Sequence, residues 1–235
     1  RINDRVRYIG VNDDEKSLFE GLWPLPSGVS YNSYLVVDEK VALIDTVEQG
    51  FEDEFLANIA SEIGDRKIDY LVVNHMEPDH SSLVAYMMGC YPDLKIIANA
   101  KTLPMLKGYY SVPEEKVVIV GEGETVSLGS CTLRFHMIPM VHWPETMVTW
   151  LPEEKTLFSG DAFGTFAAVA DDPRDAADVF EQYRDEMIRY YSNIVGKYGN
   201  PVQTALKKLS TLEIKRICST HGPIWTENIG KVVSL

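Results

Sequence analysis

The sequence has few cysteines, no long apolar run and no excess of positive charge. Its three cysteines, Cys90, Cys131 and Cys218, lie far apart and form no C-x-x-C pair, so we expect reduced thiols in a cytoplasmic protein. No apolar run approaches the roughly 18 residues that a membrane span needs, and the chain starts without a basic-then-apolar signal segment. The formal net charge of -13 would repel phosphates, which argues against a nucleic-acid partner.

What the sequence does have is the composition of a globular protein with ample core. Hydrophobic residues make up 45% of the 235 positions and charged residues 24%, which is ordinary for soluble proteins. The length fits one large domain or two small ones. Because no low-complexity linker interrupts the chain, we expect a single domain over residues 1–235.

Apolar periodicity predicts alternating strands and helices. Residues 31–37 and 40–46 are typical of a β-hairpin around a polar turn. Residues 50–63 carry apolar side chains four positions apart and predict an amphipathic helix. Residues 175–198 predict the longest helix, ended by the Asn-Pro pair at 200–201. Strands at both ends of the chain, with helices between them, indicate a layered α/β fold.

Two stretches of the chain share one pattern. Residues 37–45 read Val-Asp-Glu-Lys-Val-Ala-Leu-Ile-Asp, and residues 152–161 read Pro-Glu-Glu-Lys-Thr-Leu-Phe-Ser-Gly-Asp. Each is a polar turn followed by an apolar strand that ends in aspartate, which points to two related β-rich halves. Asp45 lies in the first half. It either holds a metal-binding residue in position without binding the metal itself, or it caps a turn.

The densest group of chemistry-bearing side chains lies in residues 74–81, Asn-His-Met-Glu-Pro-Asp-His-Ser. This stretch follows the apolar run 69–73, which is typical of a buried strand. Four of its residues are potential metal ligands: His75, Glu77, Asp79 and His80. The plain alternative is a polar loop between a strand and a helix. Because a buried charge is acceptable when it coordinates a metal, we interpret the stretch as one edge of a metal site.

Three later strands also end in potential ligands. His142 follows the apolar strand 131–141, Asp161 follows 156–160, and His221 follows the last strand. In layered α/β folds the loops after the carboxyl ends of strands meet at one edge of the sheet. We therefore expect these three side chains to join the earlier four, which is a ligand set large enough for two metals.

This combined pattern resembles the metallo-β-lactamase superfamily and, more narrowly, the diiron domain of flavodiiron proteins. The local sequence also matches in three motifs: His-Trp-Pro-Glu-Thr at 142–146, Phe-Ser-Gly-Asp-Ala-Phe-Gly at 158–164 and Thr-His-Gly-Pro-Ile-Trp at 220–225. The match covers nearly the whole chain. It implies a metallo-β-lactamase-like αβ/βα sandwich of four layers. It also implies two iron ions, one on His75, Glu77 and His142, the other on Asp79 and His221, with Asp161 as the bridge.

The resemblance leaves two alternatives for His80. In some flavodiiron relatives the matching histidine is a ligand, and in others it turns away and leaves an open position for O2 or NO. Hydrolases of the superfamily usually carry histidine where this chain has Glu77, and they usually bind zinc. Because a carboxylate is a harder donor that suits iron better, Glu77 favours iron. A bridging oxide or hydroxide is also expected, and one hydroxide would bring the reduced core to zero charge.

The resemblance normally includes a flavodoxin-like domain that carries FMN. The present sequence ends at Leu235 without a glycine-rich phosphate loop, so we expect no FMN site in this chain. Without that electron donor, the first hypothesis is an O2 sensor or carrier at the diiron core. Such a protein would resemble the stand-alone oxygen-binding diiron proteins of anaerobic bacteria, some of them associated with chemotaxis, and a signalling partner would read its state.

Two other functions remain open. The alternative is the catalytic core of an O2 or NO reductase, supplied with electrons by a separate flavoprotein or rubredoxin. A weaker alternative is a zinc hydrolase of the lactamase or glyoxalase type, in which metal-bound hydroxide attacks a carbonyl. Flavodiiron relatives are commonly dimers or tetramers, so the resemblance also implies a homo-oligomer.

Three further residues are interpreted as structural. His136 lies inside the apolar strand 131–138 and is expected to be a core residue or to support a ligand. Tyr31 and Tyr34 alternate with polar residues in a strand and are expected in the core.

Overall fold

Fifteen strands and seven α-helices form the computed structural model, which describes residues 1–235. The strands are β1 (Val6–Tyr8), β2 (Val11–Asp13), β3 (Leu18–Phe19), β4 (Trp23–Pro24), β5 (Val29–Tyr31), β6 (Tyr34–Val37), β7 (Val41–Ile44), β8 (Tyr70–Val72), β9 (Lys95–Ala98), β10 (Val117–Ile119), β11 (Thr125–Ser127), β12 (Thr132–Met137), β13 (Met147–Leu151), β14 (Thr156–Gly160) and β15 (Arg216–Ser219). The helices are α1 (Glu52–Ile63), α2 (Pro78–Ser81), α3 (Val84–Cys90), α4 (Thr102–Tyr110), α5 (Phe180–Tyr190), α6 (Gly199–Leu209) and α7 (Ile229–Ser234).

Two sheets contain most of these strands. The first has six strands in the order β1-β6-β7-β8-β9-β10, and its strands from β7 to β10 run parallel. The second has the order β11-β12-β13-β14-β15, and only β14 and β15 are parallel. Every residue of β7, β13 and β14 is buried. Burial on both faces is what helices covering a sheet produce.

The core contains two large clusters, and the alternation of side chains along each strand decides which cluster a residue joins. In β7, Ala42 and Ile44 point into a cluster that also contains Phe135 and Phe158 of the second sheet. Their neighbour Leu43 points the other way, into a cluster shared with the helices. Because successive side chains face opposite sides of a sheet, one set joins the two sheets and the other joins each sheet to its helices.

The helices cover the outer faces of the two sheets. Phe55 and Ile59 of α1 and Leu106 of α4 pack on the first sheet's side, and Tyr190 and Leu209 belong to the helices after the second sheet. The layers are therefore helix, sheet, sheet, helix. This arrangement confirms the predicted metallo-β-lactamase-like α/β sandwich. No helix in it combines the length and apolarity that crossing a membrane would require.

The predicted hairpin is confirmed, since β6 and β7 pair antiparallel. The second copy of the shared pattern also forms an antiparallel pair, β13 and β14. Each pair ends at an aspartate, Asp45 or Asp161. The predicted helix over 50–63 is confirmed as α1.

The predicted helix over 175–198 is wrong in extent. The α-helix covers only residues 180–190, and a π-helical turn, Tyr191–Val195, follows it. Residues before 180 are held elsewhere, because the Asp175 carboxylate accepts hydrogen bonds from the backbone of Thr226 and Asn228. The Asn-Pro pair does not break a helix either. It lies in the first turn of α6, where a missing proline N–H costs little.

Candidate metal centre

The predicted ligands lie after strand ends at one edge of the two sheets. Residues 75–77 follow β8 and residues 78–80 belong to α2, while His142 lies between β12 and β13, Asp161 follows β14, and His221 follows β15. All seven are buried. The structure therefore brings together the full set of predicted side chains: His75, Glu77, Asp79, His80, His142, Asp161 and His221.

Asp45 holds the ligand loop in place from behind. One of its carboxylate oxygens accepts a hydrogen bond from the Asn74 backbone N–H at 2.8 Å, and the other accepts from the Asn74 side chain at 2.9 Å. The Asn74 side-chain oxygen in turn accepts from the Thr149 hydroxyl at 2.8 Å. The residue before His75 is thus tied to both sheets. Of the two alternatives for Asp45, the structure supports the one in which it orients a ligand.

The first donor cluster contains His75, Glu77, His142 and Asp161, with ligand atoms within 4.8 Å of one another. The His142 Nε2 atom lies 3.0 Å from a Glu77 oxygen and 3.0 Å from an Asp161 oxygen. The His75 Nε2 atom lies 3.4 Å from that Glu77 oxygen and 3.3 Å from His142 Nε2. Two ring nitrogens and two carboxylates thus converge on one small volume.

The second donor cluster contains Asp79, His80 and His221. The Nε2 atoms of His221 and His80 lie 3.2 and 3.4 Å from the same Asp79 oxygen. Asp161 connects the clusters, because its Oδ1 lies 3.0 Å from His80 Nε2 while its Oδ2 faces His142. His80 therefore points into the centre, which favours the alternative in which it is a ligand.

Several donor atoms of the second cluster are buried close together, yet none of them makes a hydrogen bond of regular geometry. These atoms are both carboxylate oxygens of Asp79 and the Nε2 atoms of His80 and His221. Buried polar atoms are rarely left unpaired, because the lost hydration costs free energy. A divalent cation at the point where they converge would satisfy all of them. The residues present therefore fit a metal group.

Hydrogen bonds behind two histidines set which ring nitrogen faces the centre. The His221 Nδ1–H donates to the Ser30 backbone oxygen at 2.7 Å, and the His75 Nδ1–H donates to a Glu145 oxygen at 2.9 Å. Each contact leaves Nε2 free toward the centre, which is the usual way a metal-binding histidine is oriented. Sequence reasoning assigned no role to Ser30 or Glu145. The only signal was that Glu145, a carboxylate, lies three residues after a ligand.

Replacing Glu145 with glutamine should weaken metal binding by about 10- to 100-fold, because the lost carboxylate charge makes the His75 ring a poorer donor. The measurement is competition for ferrous iron with a coloured chelator. A matched control is Glu122→Gln, because Glu122 accepts from His136 Nδ1 at 2.8 Å on the protein surface. Equal affinity in the wild type and Glu145→Gln would contradict this role.

Aromatic rings close the centre on several sides. The Phe19, Tyr31 and Tyr190 rings lie 5.3, 5.8 and 5.6 Å from the His221 ring, and Trp143 lies 5.1 Å from His75. These contacts exclude water from the clusters. The predicted core positions of Tyr31 and Tyr34 are confirmed. The Tyr190 hydroxyl is buried without a hydrogen-bond partner.

His136 is the histidine that lies apart. It is half-buried near the surface and contacts Glu122, and it belongs to neither donor cluster. The expectation of a core or ligand-supporting histidine is therefore wrong. On the same face of strand β12, Arg134 is exposed, and the side chain of His136 is 13% exposed.

Glu20 approaches the centre from the turn between β3 and β4, and nothing in the sequence indicated it. The backbone there is left-handed, with φ of 48° at Glu20 and 71° at Gly21, as tight hairpin turns require. A hydrogen bond to Glu77, partial desolvation and the nearby negative charge of Asp79 raise the pKa of Glu20 to about 8. Glu20 thus holds a proton beside Glu77 in the metal-free protein.

Burial and charge oppose each other at the histidines of the centre. Burial lowers the pKa of His142, but its contacts with Asp161 and Glu77 raise it to about 9. Burial also lowers the pKa of His80, and the charges of Asp79 and Asp161 raise it to about 9. For Asp161 burial acts to raise the pKa, but the surrounding imidazoles hold it well below the usual range. The metal-free centre therefore holds protons where a metal would bind.

Metal binding at pH 7 should release about three protons per chain, because coordinating imidazoles must be neutral. Two of the sources are His80 and His142, with pKa values of about 9. The third is His75: burial lowers its pKa, but Glu145, Glu77 and Asp161 raise it well above its usual value. Because a raised pKa keeps these rings protonated at neutral pH, the apparent metal affinity should rise as the pH is raised from 6 to 9. Calorimetric titration in buffers of different ionisation enthalpy measures the release. An affinity that stays constant between pH 6 and 9 would refute the expectation.

The four-layer fold, with histidine and carboxylate donors at the strand ends, defines a metallo-β-lactamase-like domain. A family model described as ODP family beta lactamase matches residues 29–222. The chain therefore belongs to that family.

Individual relatives agree with this assignment. A nitric oxide reductase of Moorella thermoacetica is 36% identical over 99% of this chain and 59% of its own length. An anaerobic nitric oxide reductase flavorubredoxin of Shigella dysenteriae is 34% identical over 100% of this chain and 50% of its own length. The chain thus spans little more than half the length of these relatives.

Solved structures of flavodiiron proteins also superpose closely on this chain. Rubredoxin oxygen:oxidoreductase from Desulfovibrio gigas superposes with a TM-score of 0.94 at 33% identity, covering 100% of this chain and 59% of that one. The flavodiiron protein from Giardia intestinalis has a TM-score of 0.92 at 33% identity, covering 99% of this chain and 57% of that one. The resemblance to flavodiiron proteins is confirmed.

Proposed function

We propose that this chain is the diiron catalytic core of a reductase that acts on NO or O2. One iron would be held by His75, Glu77 and His142, the other by Asp79, His80 and His221, and Asp161 would bridge them. The observation that carries the proposal is the buried donor set itself, four imidazoles and three carboxylates in two clusters joined by Asp161. Mixed imidazole and carboxylate donors are typical of non-haem iron that handles oxygen.

The reductase hypothesis now stands ahead of the sensor hypothesis. The sensor hypothesis depends on the expectation that no flavin domain serves this chain, whereas the chain corresponds to only 50% to 59% of the relatives that it matches. Those relatives are named as nitric oxide reductases and as a rubredoxin oxygen:oxidoreductase. We therefore infer an electron-donor protein or domain, of flavin or rubredoxin type, as the partner.

The residues of the chain prepare the centre for such a reaction. Bound iron would supply an open coordination position and electrons to the diatomic substrate. Glu145 and Ser30 keep the Nε2 atoms of His75 and His221 aimed inward. The aromatic rings of Phe19 and Trp143 keep water away from those imidazoles, which prevents loss of reducing equivalents to side reactions.

Turnover under a continuous supply of electrons tests the proposal. The protein is loaded anaerobically with ferrous iron, supplied with reduced rubredoxin, and mixed with NO or O2, and the gas consumed and N2O formed are followed. We expect many turnovers per chain, well beyond the two electrons that a diferrous core holds. A stable oxygenated species without turnover would favour the sensor instead. Full occupancy by zinc, with no iron in the protein as isolated from cells, would overturn both iron functions.

A further inference from the structure

A largely apolar cavity of about 300 Å³ lies directly beside the metal centre. Sixteen of its twenty lining residues are hydrophobic. It is bounded by the end of α5 and the π-helical turn, by α6, by α7 and by the loop that follows β14. None of the sequence motifs and none of the hydrogen bonds of the centre accounts for it.

The inner end of the cavity is formed by residues of the centre itself. Asp161, which joins the two donor clusters, is part of its lining, and so is Val141, the neighbour of His142. The Tyr190 ring lies between the cavity and the His221 ring, 5.6 Å from the latter. Tyr190 packs so closely against Gly164 that a Cβ atom there would lie 3.0 Å from the ring. Only one layer of side chains separates cavity and centre.

The outer end of the cavity reaches the surface. Ile188 and Tyr191 line it and are exposed although they are large and hydrophobic, and so is Val233 of α7. Between the two ends the wall consists of buried aliphatic side chains such as Leu209 and Val195. The cavity therefore runs from an apolar rim on the surface to Asp161.

We propose that this cavity is the binding and entry site for the apolar diatomic gas, NO or O2, that reacts at the metal centre. The inference rests on the proposed function, since it assumes that the centre uses such a gas. An apolar cavity offers water too few polar partners to hold it and instead takes up small apolar species such as xenon. NO and O2 share that property. A charged or strongly polar substrate would find few partners along this largely apolar wall.

A polar approach to the centre lies at Glu20, an exposed residue whose carboxyl interacts with Glu77. Polar groups of this kind retain ordered water. Separate paths for the gas and for water or protons would let the substrate reach the centre without opening it to solvent. The cavity is lined by Asp161, Tyr190 and residues of α6, and not by Glu20 or Glu77, which fits a separate path for the gas.

Two substitutions on α6 would fill the cavity without touching a proposed ligand. Ala205 is buried and lines the middle of the cavity, so Ala205→Phe should obstruct it. Val202 lines it one turn earlier and is only half-buried, so Val202→Phe is a second variant with less risk to folding. The matched control is Ala60→Phe on the exposed face of α1.

Xenon is the first probe. Crystals of the protein pressurised with xenon should show the gas in the cavity of the wild type and of Ala60→Phe, and not in Ala205→Phe or Val202→Phe. This readout needs neither iron nor turnover. The absence of xenon from the wild-type cavity would overturn the proposal.

The second probe is the rate at which the diferrous protein reacts with NO or O2 in stopped-flow mixing. We expect the association rate constant to fall by about tenfold in both filled variants, with unchanged iron content and an unchanged final spectrum. Unchanged rates in variants that exclude xenon would refute the cavity as an entry route while leaving the reductase proposal intact. If the iron-loaded wild type reacts with neither gas, the proposed function itself fails, and the entry route with it.

Discussion

Replacing Asp161 with alanine is expected to lower bound iron from two ions per chain to fewer than about one, because neither cluster then keeps its full set of donors. Asp161 reaches His142 with one oxygen and His80 with the other, both at 3.0 Å. The Thr220 hydroxyl holds the carboxylate in that orientation through a 2.6 Å hydrogen bond. No other side chain contacts both clusters in this way, so no neighbour can replace it.

Stability should change together with metal content. A metal that binds only the folded protein stabilises it by about 4 kcal/mol when free metal is about 1,000 times its Kd. We expect wild-type protein to show an increase of this size in the free energy of unfolding on iron loading, and Asp161→Ala to show little of it. Iron analysis and denaturant titrations with and without ferrous iron measure both effects.

A suitable control for Asp161 is Asp38→Ala. Asp38 is also well covered and accepts hydrogen bonds from Ser130 and the Cys131 backbone, but it lies outside both clusters. The control should lose some stability and retain both its iron and its iron-dependent stabilisation. If Asp161→Ala retained two iron ions per chain, the proposed bridging role would be wrong.

Replacing Glu77 with histidine should shift the ratio of iron to zinc affinity toward zinc by at least about tenfold, which corresponds to 1.4 kcal/mol. The Glu77 oxygen lies 3.0 Å from His142 Nε2, within the first cluster. Exchanging this hard anionic donor for a neutral imidazole removes one negative charge and gives a site that zinc accepts as readily as iron. The reaction with NO or O2 should fall in proportion to the iron lost.

Loading under equal concentrations of both metals, followed by metal analysis, measures this shift. The matched control is Glu77→Asp, which keeps a carboxylate at the position and should keep the preference for iron. An unchanged ratio in Glu77→His would show that Glu77 does not select the metal. It would also weaken the argument that separates this centre from the zinc hydrolases of the same fold.

Much of the fold follows from local pattern. The two-residue apolar period predicted the hairpin of β6 and β7, and the four-residue spacing from Phe55 to Ile63 predicted α1. The error over 175–198 arose because the same kind of periodicity continues past both ends of α5. Helix α5 does not extend back to residue 175, because the Asp175 carboxylate accepts a hydrogen bond from Thr226, which is far away in sequence. No local pattern reveals this contact.

The sequence alone determined the candidate ligands and the family resemblance. Ligands of this kind follow strands directly, and the chemical type of a donor is a property of its own side chain. That is why the motif around His75 and the positions of His142, Asp161 and His221 were enough to predict a metal centre.

Only the tertiary structure decided how the centre is built and approached. The inward orientation of His80, the support of His75 by Glu145, the approach of Glu20 and the cavity beside Asp161 all depend on side chains from separate elements. The paired residues lie far apart in sequence: 57 positions separate Glu20 and Glu77, 70 separate His75 and Glu145, and 81 separate His80 and Asp161. Packing brings such groups together, and packing is fixed by the complete core rather than by any one stretch of chain.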